Sequence, residues 1–213
     1  MAWLAAASVV LISGALGLAQ TATAYQACAP LLPWPIARQQ GELLLQSAPE
    51  HAPRTLAALT DASEVIVVGR IASQVCRVDT SVVPMVNSKF TVVVESALRG
   101  STSGAMLSIL IRGTGRVITA DGRSLQAEFE AFEAPQVGDR FLLFLTRDAV
   151  EHDAFRISEW GHGLFRVTDL GTIRSPWRAL VTSDRGAQED VYGQVEGKKK
   201  ADVLAEVARI IGL

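Results

Sequence analysis

The middle of the chain carries a series of short apolar segments separated by glycine, proline and polar residues. Segments of this length, rich in Val, Ile, Leu and Phe, predict β-strands. Several of them in succession favour an all-β sandwich or barrel. The five to six predicted strands cover residues 64–78, 90–95, 106–111, 140–146, 155–158 and 164–167, and the last two are expected to pair as a hairpin.

Gly69 lies inside the first predicted strand. A glycine in a strand interior often marks a bulge or a sharp bend at a barrel corner. A long first strand that bends there and pairs on both sides is how a five-stranded OB-type barrel closes. The first four strands also show little alternation of apolar and polar residues, so we expect both of their faces to be covered.

The flanking segments differ from this central region. Residues 25–62 form a proline-rich lead-in with a short helix predicted at 37–46 and another helical turn at 55–59. The barrel is assigned to residues 63–178, and a linker and the last helix to 179–213. In the segment 201–213 the apolar residues form a single helical stripe: Val203, Leu204, Val207, Ile210 and Ile211. This stripe predicts an amphipathic helix docked on the barrel, the alternative being a helix on a membrane surface or a partner.

Residues 1–24 contain no charged side chain and end in the small-residue pattern Ala22-x-Ala24. This pattern predicts a secretory signal that is cleaved before Tyr25, which places the protein in the periplasm or the medium. No stable membrane span is expected after cleavage. One alternative is an uncleaved N-terminal anchor helix. Another is a lipoprotein cleaved at Cys28, although the preceding residues make a poor lipobox.

The charge balance is nearly even, with 20 Lys and Arg against 22 Asp and Glu. A chain with this balance and 2 tyrosines lacks the basic, aromatic groove that nucleic-acid binding requires, so we expect no nucleic-acid partner.

The only cysteines are Cys28 and Cys76. Export favours a disulfide between them, and the alternative is two unpaired buried thiols.

The sequence lacks the recognisable motifs of nucleophilic catalysis, phosphate binding and zinc hydrolysis. No catalytic residue, metal site or cofactor is therefore expected. The strongest binding candidates are Trp160 and His162, which stand between glycines and could form a recognition tip. The alternative is an ordinary hairpin turn whose tryptophan folds back onto the barrel.

An acidic cluster, Glu128, Glu130 and Glu133, is interpreted as the solvated face of an edge strand.

Four segments, taken in order, resemble a known family: 63–70 (SEVIVVGR), 90–95 (FTVVVE), 98–100 (LRG) and 137–145 (VGDRFLLFL). They resemble the netrin-like OB barrel of the tissue inhibitors of metalloproteinases (TIMPs), and more closely secreted bacterial proteins with TIMP-like domains. The resemblance covers about residues 60–170 and implies an N-terminal segment clamped to the barrel by a disulfide, which Cys28 and Cys76 could provide.

In the inhibitors, the mature chain begins with a cysteine that chelates the zinc of the target protease. In this chain the predicted first residue is Tyr25 and Cys28 is the fourth. The family's other cysteines and its cysteine-rich C-terminal part are absent. The inhibitory mechanism therefore does not carry over unless processing exposes Cys28.

These observations predict an exported, non-catalytic binding module whose partner is a protein or an extracellular polymer. A protease inhibitor-like domain is the sharper form of this hypothesis. One alternative is a metal-independent hydrolase that uses Glu159, His162 and Asp169 around the predicted hairpin. Another is a structural protein of the cell envelope.

Overall fold

The computed structural model describes residues 24–39, 43–46, 55–79, 85–129, 132–159, 162–177 and 190–213. In these residues the protein is mainly β, with a large, mostly antiparallel sheet, a small three-stranded sheet and a C-terminal helix. The large sheet contains β1 (Gln26–Ala27), β3 (Val65–Asp79), β4 (Met85–Arg99), β5 (Met106–Arg112), β8 (Arg140–Arg147), β9 (Phe155–Ile157), β10 (Leu164–Val167) and β11 (Ile173–Arg174). The small sheet contains β2 (Leu43–Gln46), β6 (Gly115–Ile118) and β7 (Ser124–Phe129), and the helices are α1 (Trp34–Gln39), α2 (Leu56–Asp61), α3 (Val191–Val195) and α4 (Lys200–Ile211).

Five strands of the large sheet each have two hydrogen-bonded neighbours within the same set. Strand β3 pairs antiparallel with β4 and with β8, and β4 pairs antiparallel with β5. Strand β5 pairs in parallel with β9, and β9 pairs antiparallel with β8. The first four predicted strands are thus confirmed as β3, β4, β5 and β8.

Gly69 lies at a register shift in the pairing of β3 with β4, as the sequence predicted for a bulge. A Cβ atom at this position would lie 2.4 Å from Cγ1 of Val92. The close approach of the two strands therefore requires the absence of a side chain.

The predicted hairpin between residues 155–158 and 164–167 is wrong. Strands β9 and β10 both run antiparallel to β8, along Leu145–Arg147 and Phe141–Leu143 respectively, so they follow each other in the same direction on one edge of β8. Between them the backbone N–H of Ser158 donates to the Phe144 carbonyl, and the N–H of Phe144 donates to the Gly163 carbonyl. Because the edge of β8 satisfies the backbone groups of both segments, they do not pair with each other as a hairpin.

Two further predictions are corrected by the small sheet. Leu43–Gln46 was predicted to be helical but forms β2, because its backbone pairs in parallel with β7. The acidic segment was predicted to lie on an edge strand, but β7 lies between β2 and β6. Glu128 accepts a hydrogen bond from Gln126, Glu133 pairs with Arg166 at 3.4 Å, and Glu130 lies outside the described residues.

From Arg70 onward β3 is partly exposed, but residues 65–69 of β3 and most of β8 are buried on both faces, which explains why these stretches do not alternate. One face packs against α2, α3 and α4, and the other lies in a second core with residues of β4 and β5. Thr55 caps α2 by accepting a hydrogen bond from the Ala58 N–H, so the predicted helical turn is present. The predicted C-terminal helix is confirmed as α4, which buries Val203 and Val207, whereas α3 lies in the segment interpreted as a linker.

Candidate functional site

The N-terminal segment 25–32, here called the strap, crosses from the large sheet to the small one. Its β1 residues pair with β3, with Gln26 opposite Cys76 and Ala27 opposite Val75. Farther along, the Ala29 N–H donates to the carbonyl of Arg116 in β6 at 2.8 Å. Gln126 of β7 then binds both backbone groups of Leu32, at 2.9 and 3.0 Å. The strap is therefore fixed to three strands in both sheets.

A disulfide joins Cys28 of the strap to Cys76 of β3, with their Cα atoms 5.0 Å apart. This is the pairing that the sequence predicted, so the alternative of two unpaired thiols does not hold. The disulfide belongs to a small third core with Val78, Val86, Val117 and Ala127. The residues of this core come from β3 and β4 of the large sheet and from β6 and β7 of the small sheet. The disulfide therefore bonds the strap to β3 at the place where the two sheets pack together.

Gly115 shows how closely the third core is packed. Its φ of 117° lies in the region that favours glycine. A Cβ atom there would lie 2.6 Å from Oγ of Ser88 and 2.7 Å from Sγ of Cys76. Strand β6 can therefore begin against the disulfide only with a glycine at this position.

The first residue of the strap is held by a charged cluster. The Tyr25 hydroxyl donates to Oε1 of Glu151 at 2.8 Å. The same carboxylate pairs with Arg77 at 2.6 Å and with Lys89 at 3.3 Å, and its side chain is only 13% exposed. Burial, and then the hydrogen bond to Glu151, raise the pKa of Tyr25 well above its ordinary value. The phenol therefore stays protonated and remains a donor near neutral pH.

Asp148 positions the turn that carries Glu151. Its Oδ1 accepts hydrogen bonds from the backbone N–H groups of Val150 and Glu151, both at 2.9 Å. Arg112 binds both of its oxygens at 2.8 Å. Burial opposes ionisation of this carboxyl, but the hydrogen bonds from Arg112 and the turn outweigh burial and hold the pKa of Asp148 at about 2.

The strap is anchored but not enclosed. Gln26, Ala27 and Pro30 are exposed, and Leu31 is 40% exposed. In the turn that holds Tyr25, Val150 is 76% exposed. The arrangement presents an extended backbone with small and apolar side chains in a fixed conformation. Such a segment can bind a partner without the entropic cost of ordering a free tail.

His162, one of the two predicted binding residues, lies in the core. Its side chain has no solvent exposure, and Nδ1 forms a hydrogen bond with the Tyr192 hydroxyl. Its ring also lies 6.0 Å from the ring of Trp177, centre to centre. His162 therefore does not form an exposed recognition tip, and Trp160 lies outside the described residues.

The three residues of the hydrolase hypothesis differ in exposure. Glu159 and Asp169 are exposed, whereas His162 is enclosed between the large sheet and α3. The His162 backbone N–H donates to the Glu159 carbonyl at 3.1 Å, which is a main-chain contact and leaves the imidazole apart from the Glu159 carboxylate. An imidazole that takes a proton from a substrate must face the substrate, and this one does not face solvent.

Sequence reasoning identified the disulfide but missed the cluster around Glu151. In the sequence Tyr25 stands out only as the first residue after the predicted cleavage, and nothing singles out Arg77, Lys89 or Glu151. Tyr25 and Glu151 are 126 residues apart. No local pattern could have brought them together.

Within the described residues, no helix is both long and apolar enough to cross a bilayer. The same residues contain no group of three His, Cys, Asp or Glu side chains arranged to hold a metal ion. Comparison with known proteins identifies no relative, since no family model, no curated protein and no solved structure matches this chain.

Proposed function

We propose that the protein is an exported, non-catalytic binding module that presents its strap to a protein partner. The observation that carries this proposal is the combination of anchoring and exposure in residues 25–32. A disulfide, backbone pairing and the Glu151 cluster fix the segment. Its side chains at Gln26, Ala27, Pro30 and Leu31 nevertheless face solvent or lie near the surface.

A protein is favoured over a polymer because the strap offers an extended backbone. Residues 26–31 lie at the margin of both sheets, and only part of their main chain is paired with β3 and β6. Extended segments of this kind are recognised through main-chain hydrogen bonds and shallow side-chain pockets, which another polypeptide supplies.

The pairing of the five strands supports an OB-like barrel of the netrin or TIMP type. Followed from strand to strand, the order is β3–β4–β5–β9–β8, and β8 pairs again with β3. The parallel contact between β5 and β9 and the bulge at Gly69 fit the closure of a five-stranded barrel. The strap then corresponds to the clamped N-terminal segment that the resemblance implies.

Export is the second part of the proposal. The apolar residues 1–24 and the small residues before Tyr25 have the character of a cleaved signal. A disulfide persists in an oxidising compartment such as the periplasm or the medium. Cleavage at this point makes Tyr25, which Glu151 already holds, the first residue of the mature chain.

Protease inhibition is the sharper form of this function, with a changed mechanism. Because Cys28 is the fourth residue after the predicted cleavage and is bonded to Cys76, it cannot act as a first-residue chelator. An inhibitor built on this strap would have to block the substrate cleft with residues 25–31 themselves.

The test is capture of a partner from the native envelope or secretome by the exported protein. The strap variants Ala27→Glu and Leu31→Asp place a charge on the exposed side of the strap. Val137→Asp is the matched control, since Val137 is 60% exposed on a turn outside the strap. We expect a stoichiometric partner that the wild type and the control retain and both strap variants lose.

Capture that survives both strap variants contradicts the proposal. If the captured envelope components show no fixed molar ratio to the protein, the alternative of a structural envelope protein is favoured. The wild type, the two strap variants and the Val137→Asp control are also assayed against a panel of zinc proteases. If the strap inhibits a protease, the wild type and the control inhibit it and both strap variants do not.

A further inference from the structure

A second exposed surface lies away from the strap, at the turn between β10 and β11. Leu170 occupies the tip of this turn and is 90% exposed. The turn is well defined, because the Gly171 N–H donates to the Thr168 carbonyl at 2.8 Å and the Thr168 and Thr172 hydroxyls are 2.7 Å apart. An isolated leucine is therefore held out into solvent by an ordered turn.

Three lysines lie directly beside this turn. The Lys200 N–H donates to the Gly171 carbonyl at 2.7 Å, and the Ile173 N–H donates to the Lys198 carbonyl at 2.8 Å. Lys199 lies opposite Thr172 in an isolated bridge. Apart from Lys89, these are the only lysines of the chain. No salt bridge joins the three to a carboxylate in the part of the chain that the structure describes.

The position of these lysines is unfavourable for the helix that follows them. Lys199 is the N-cap of α4 and makes no side-chain capping bond, and Lys200 is the first residue of the helix. The N-terminus of a helix carries partial positive charge and is stabilised by acidic or capping side chains. Packing does not explain the lysines either, since Lys198 and Lys199 are exposed. Asp202 is the acidic residue of the first turn that offsets them. Three consecutive lysines nevertheless weaken the start of this helix, and a local cost of this kind points to a function outside the fold.

We infer that Leu170 and Lys198–200 form a docking surface for a bilayer that contains anionic lipids. An exposed apolar residue inserts into the interface while ammonium groups contact the lipid phosphates. Arg174, exposed on β11, adds a fourth cation. The nearby carboxylates are Asp169, Asp202, Glu196 and Glu206. Glu196 already accepts a hydrogen bond from the Ser175 N–H, and Glu206 binds Arg209, which brings a further cation. The surface therefore keeps a positive excess, and each lysine contributes about fivefold to the partition coefficient.

This surface is independent of the strap and of its proposed partner. The strap belongs to the third core around Cys76, whereas the β10–β11 turn and α4 border the core that contains Ile173 and Val203. If the protein does not bind vesicles, only the membrane inference is contradicted. If it captures no partner, only the proposed function of the strap is contradicted.

The experiment measures binding of the exported, processed protein to sedimented vesicles, with its N-terminus verified by mass spectrometry. The vesicles contain phosphatidylcholine alone or phosphatidylcholine mixed with phosphatidylglycerol. We expect binding to the mixed vesicles to be at least about tenfold stronger and to weaken with added salt. The triple variant Lys198→Gln, Lys199→Gln, Lys200→Gln should lower the affinity by about a hundredfold, and Leu170→Ser by about tenfold.

Matched controls distinguish the effect of this surface on vesicle binding from a general effect of net charge or of exposed apolar side chains. The triple variant Arg70→Gln, Arg123→Gln, Arg156→Gln removes the same charge at other exposed positions. Val137→Ser removes an apolar side chain that is 60% exposed on a turn outside both surfaces. Circular dichroism verifies that all variants are folded. Equal binding to both kinds of vesicle overturns the inference, and so does an equal loss in the arginine variant. Binding to soluble heparin but not to vesicles, unaffected by Leu170→Ser, overturns it in favour of an anionic polymer.

Discussion

The guanidinium carbon of Arg77 lies 4.7 Å from the centre of the Tyr25 ring, and both side chains bind the carboxylate of Glu151. Tyr25 directly precedes β1, and Arg77 directly follows Cys76 on β3, which lies opposite Gln26. The backbone pairing at the start of the strap therefore also aligns its first side chain. The disulfide at Cys28 fixes the strap covalently a few residues later. Polar contacts at Tyr25 and at Leu32, with a covalent bond at Cys28 between them, give the strap its defined conformation.

Replacing Tyr25 by phenylalanine keeps the ring against Arg77 and removes the hydrogen bond to Glu151. We expect the free energy of unfolding to fall by about 1.5–3 kcal/mol, the usual range for a hydrogen bond to a charged group. Tyr25→Ala should cost more because it also removes the stacking. Urea unfolding at neutral pH measures both, and Gln26→Ala, at an exposed side chain, is the control. A Tyr25→Phe variant as stable as the wild type would show that the cluster does not hold the strap.

Removing the disulfide should destabilise the protein strongly. The bond links residues 48 positions apart, and the loop-entropy relation gives about 4 kcal/mol for a loop of this length. We expect the double variant Cys28→Ser, Cys76→Ser to melt at a lower temperature and to be insensitive to reductant. Reductant should lower the melting temperature of the wild type to that of the double variant. An unchanged wild-type melting curve in reductant contradicts this prediction.

Asp148 should make stability depend on acid pH. Because its pKa falls from an ordinary 3.8 to about 2 on folding, its contribution is complete above about pH 4 and is lost as the pH falls towards 2. Asp148→Asn should therefore lower the free energy of unfolding by about 2 kcal/mol at neutral pH. The difference from the wild type should shrink between pH 4 and pH 2.

Equilibrium unfolding at a series of pH values tests this, with Asp169→Asn, at an exposed turn residue, as the control that should follow the wild type. A difference between wild type and Asp148→Asn that stays constant down to pH 2 would be incompatible with the proposed linkage.

His162 should act through packing and not through ligand contact. Its ring is fully buried against Trp177 and Tyr192, so His162→Ala leaves a cavity between the sheet and α3. We expect a loss of about 2–4 kcal/mol in the free energy of unfolding. Glu159→Ala, at an exposed neighbouring side chain, should change it by less than about 0.5 kcal/mol. A His162→Ala protein of normal stability that no longer captures a partner would assign this residue to binding instead.

Strands β3, β4, β5 and β8 and helix α4 were predictable because the residue types of each form a recognisable pattern within a short stretch of sequence. The run Val65–Val68 is β-branched, and Val203 and Val207 repeat at the helical period. The lack of alternation in β8 and in residues 65–69 of β3 also correctly indicated cover on both faces, which α2, α3 and α4 provide on one of them. In β4, by contrast, burial alternates over residues 90–95, and Val93 is exposed.

The errors have a common origin in pairing between distant segments. Leu43–Gln46 has helix-forming leucines but becomes a strand because β7 offers it a partner. Residues 155–157 and 164–167 look like a hairpin, yet both find hydrogen bonds on β8. Within the site, Cys28 and Cys76 could be paired because the chain has no other cysteine, whereas nothing local links Tyr25 to Glu151.

Residue types and their local spacing were enough to predict the β-rich centre, the amphipathic C-terminal helix and the one disulfide that two cysteines allow. Each of these depends on residue type and short-range periodicity, which act over a few residues. Long-range packing sets which strand edges meet, encloses His162, and brings Tyr25 to Glu151 beside Arg77 and Lys89. Those outcomes depend on where remote backbone groups and charges find partners when the chain compacts, and that information is spread over the whole chain.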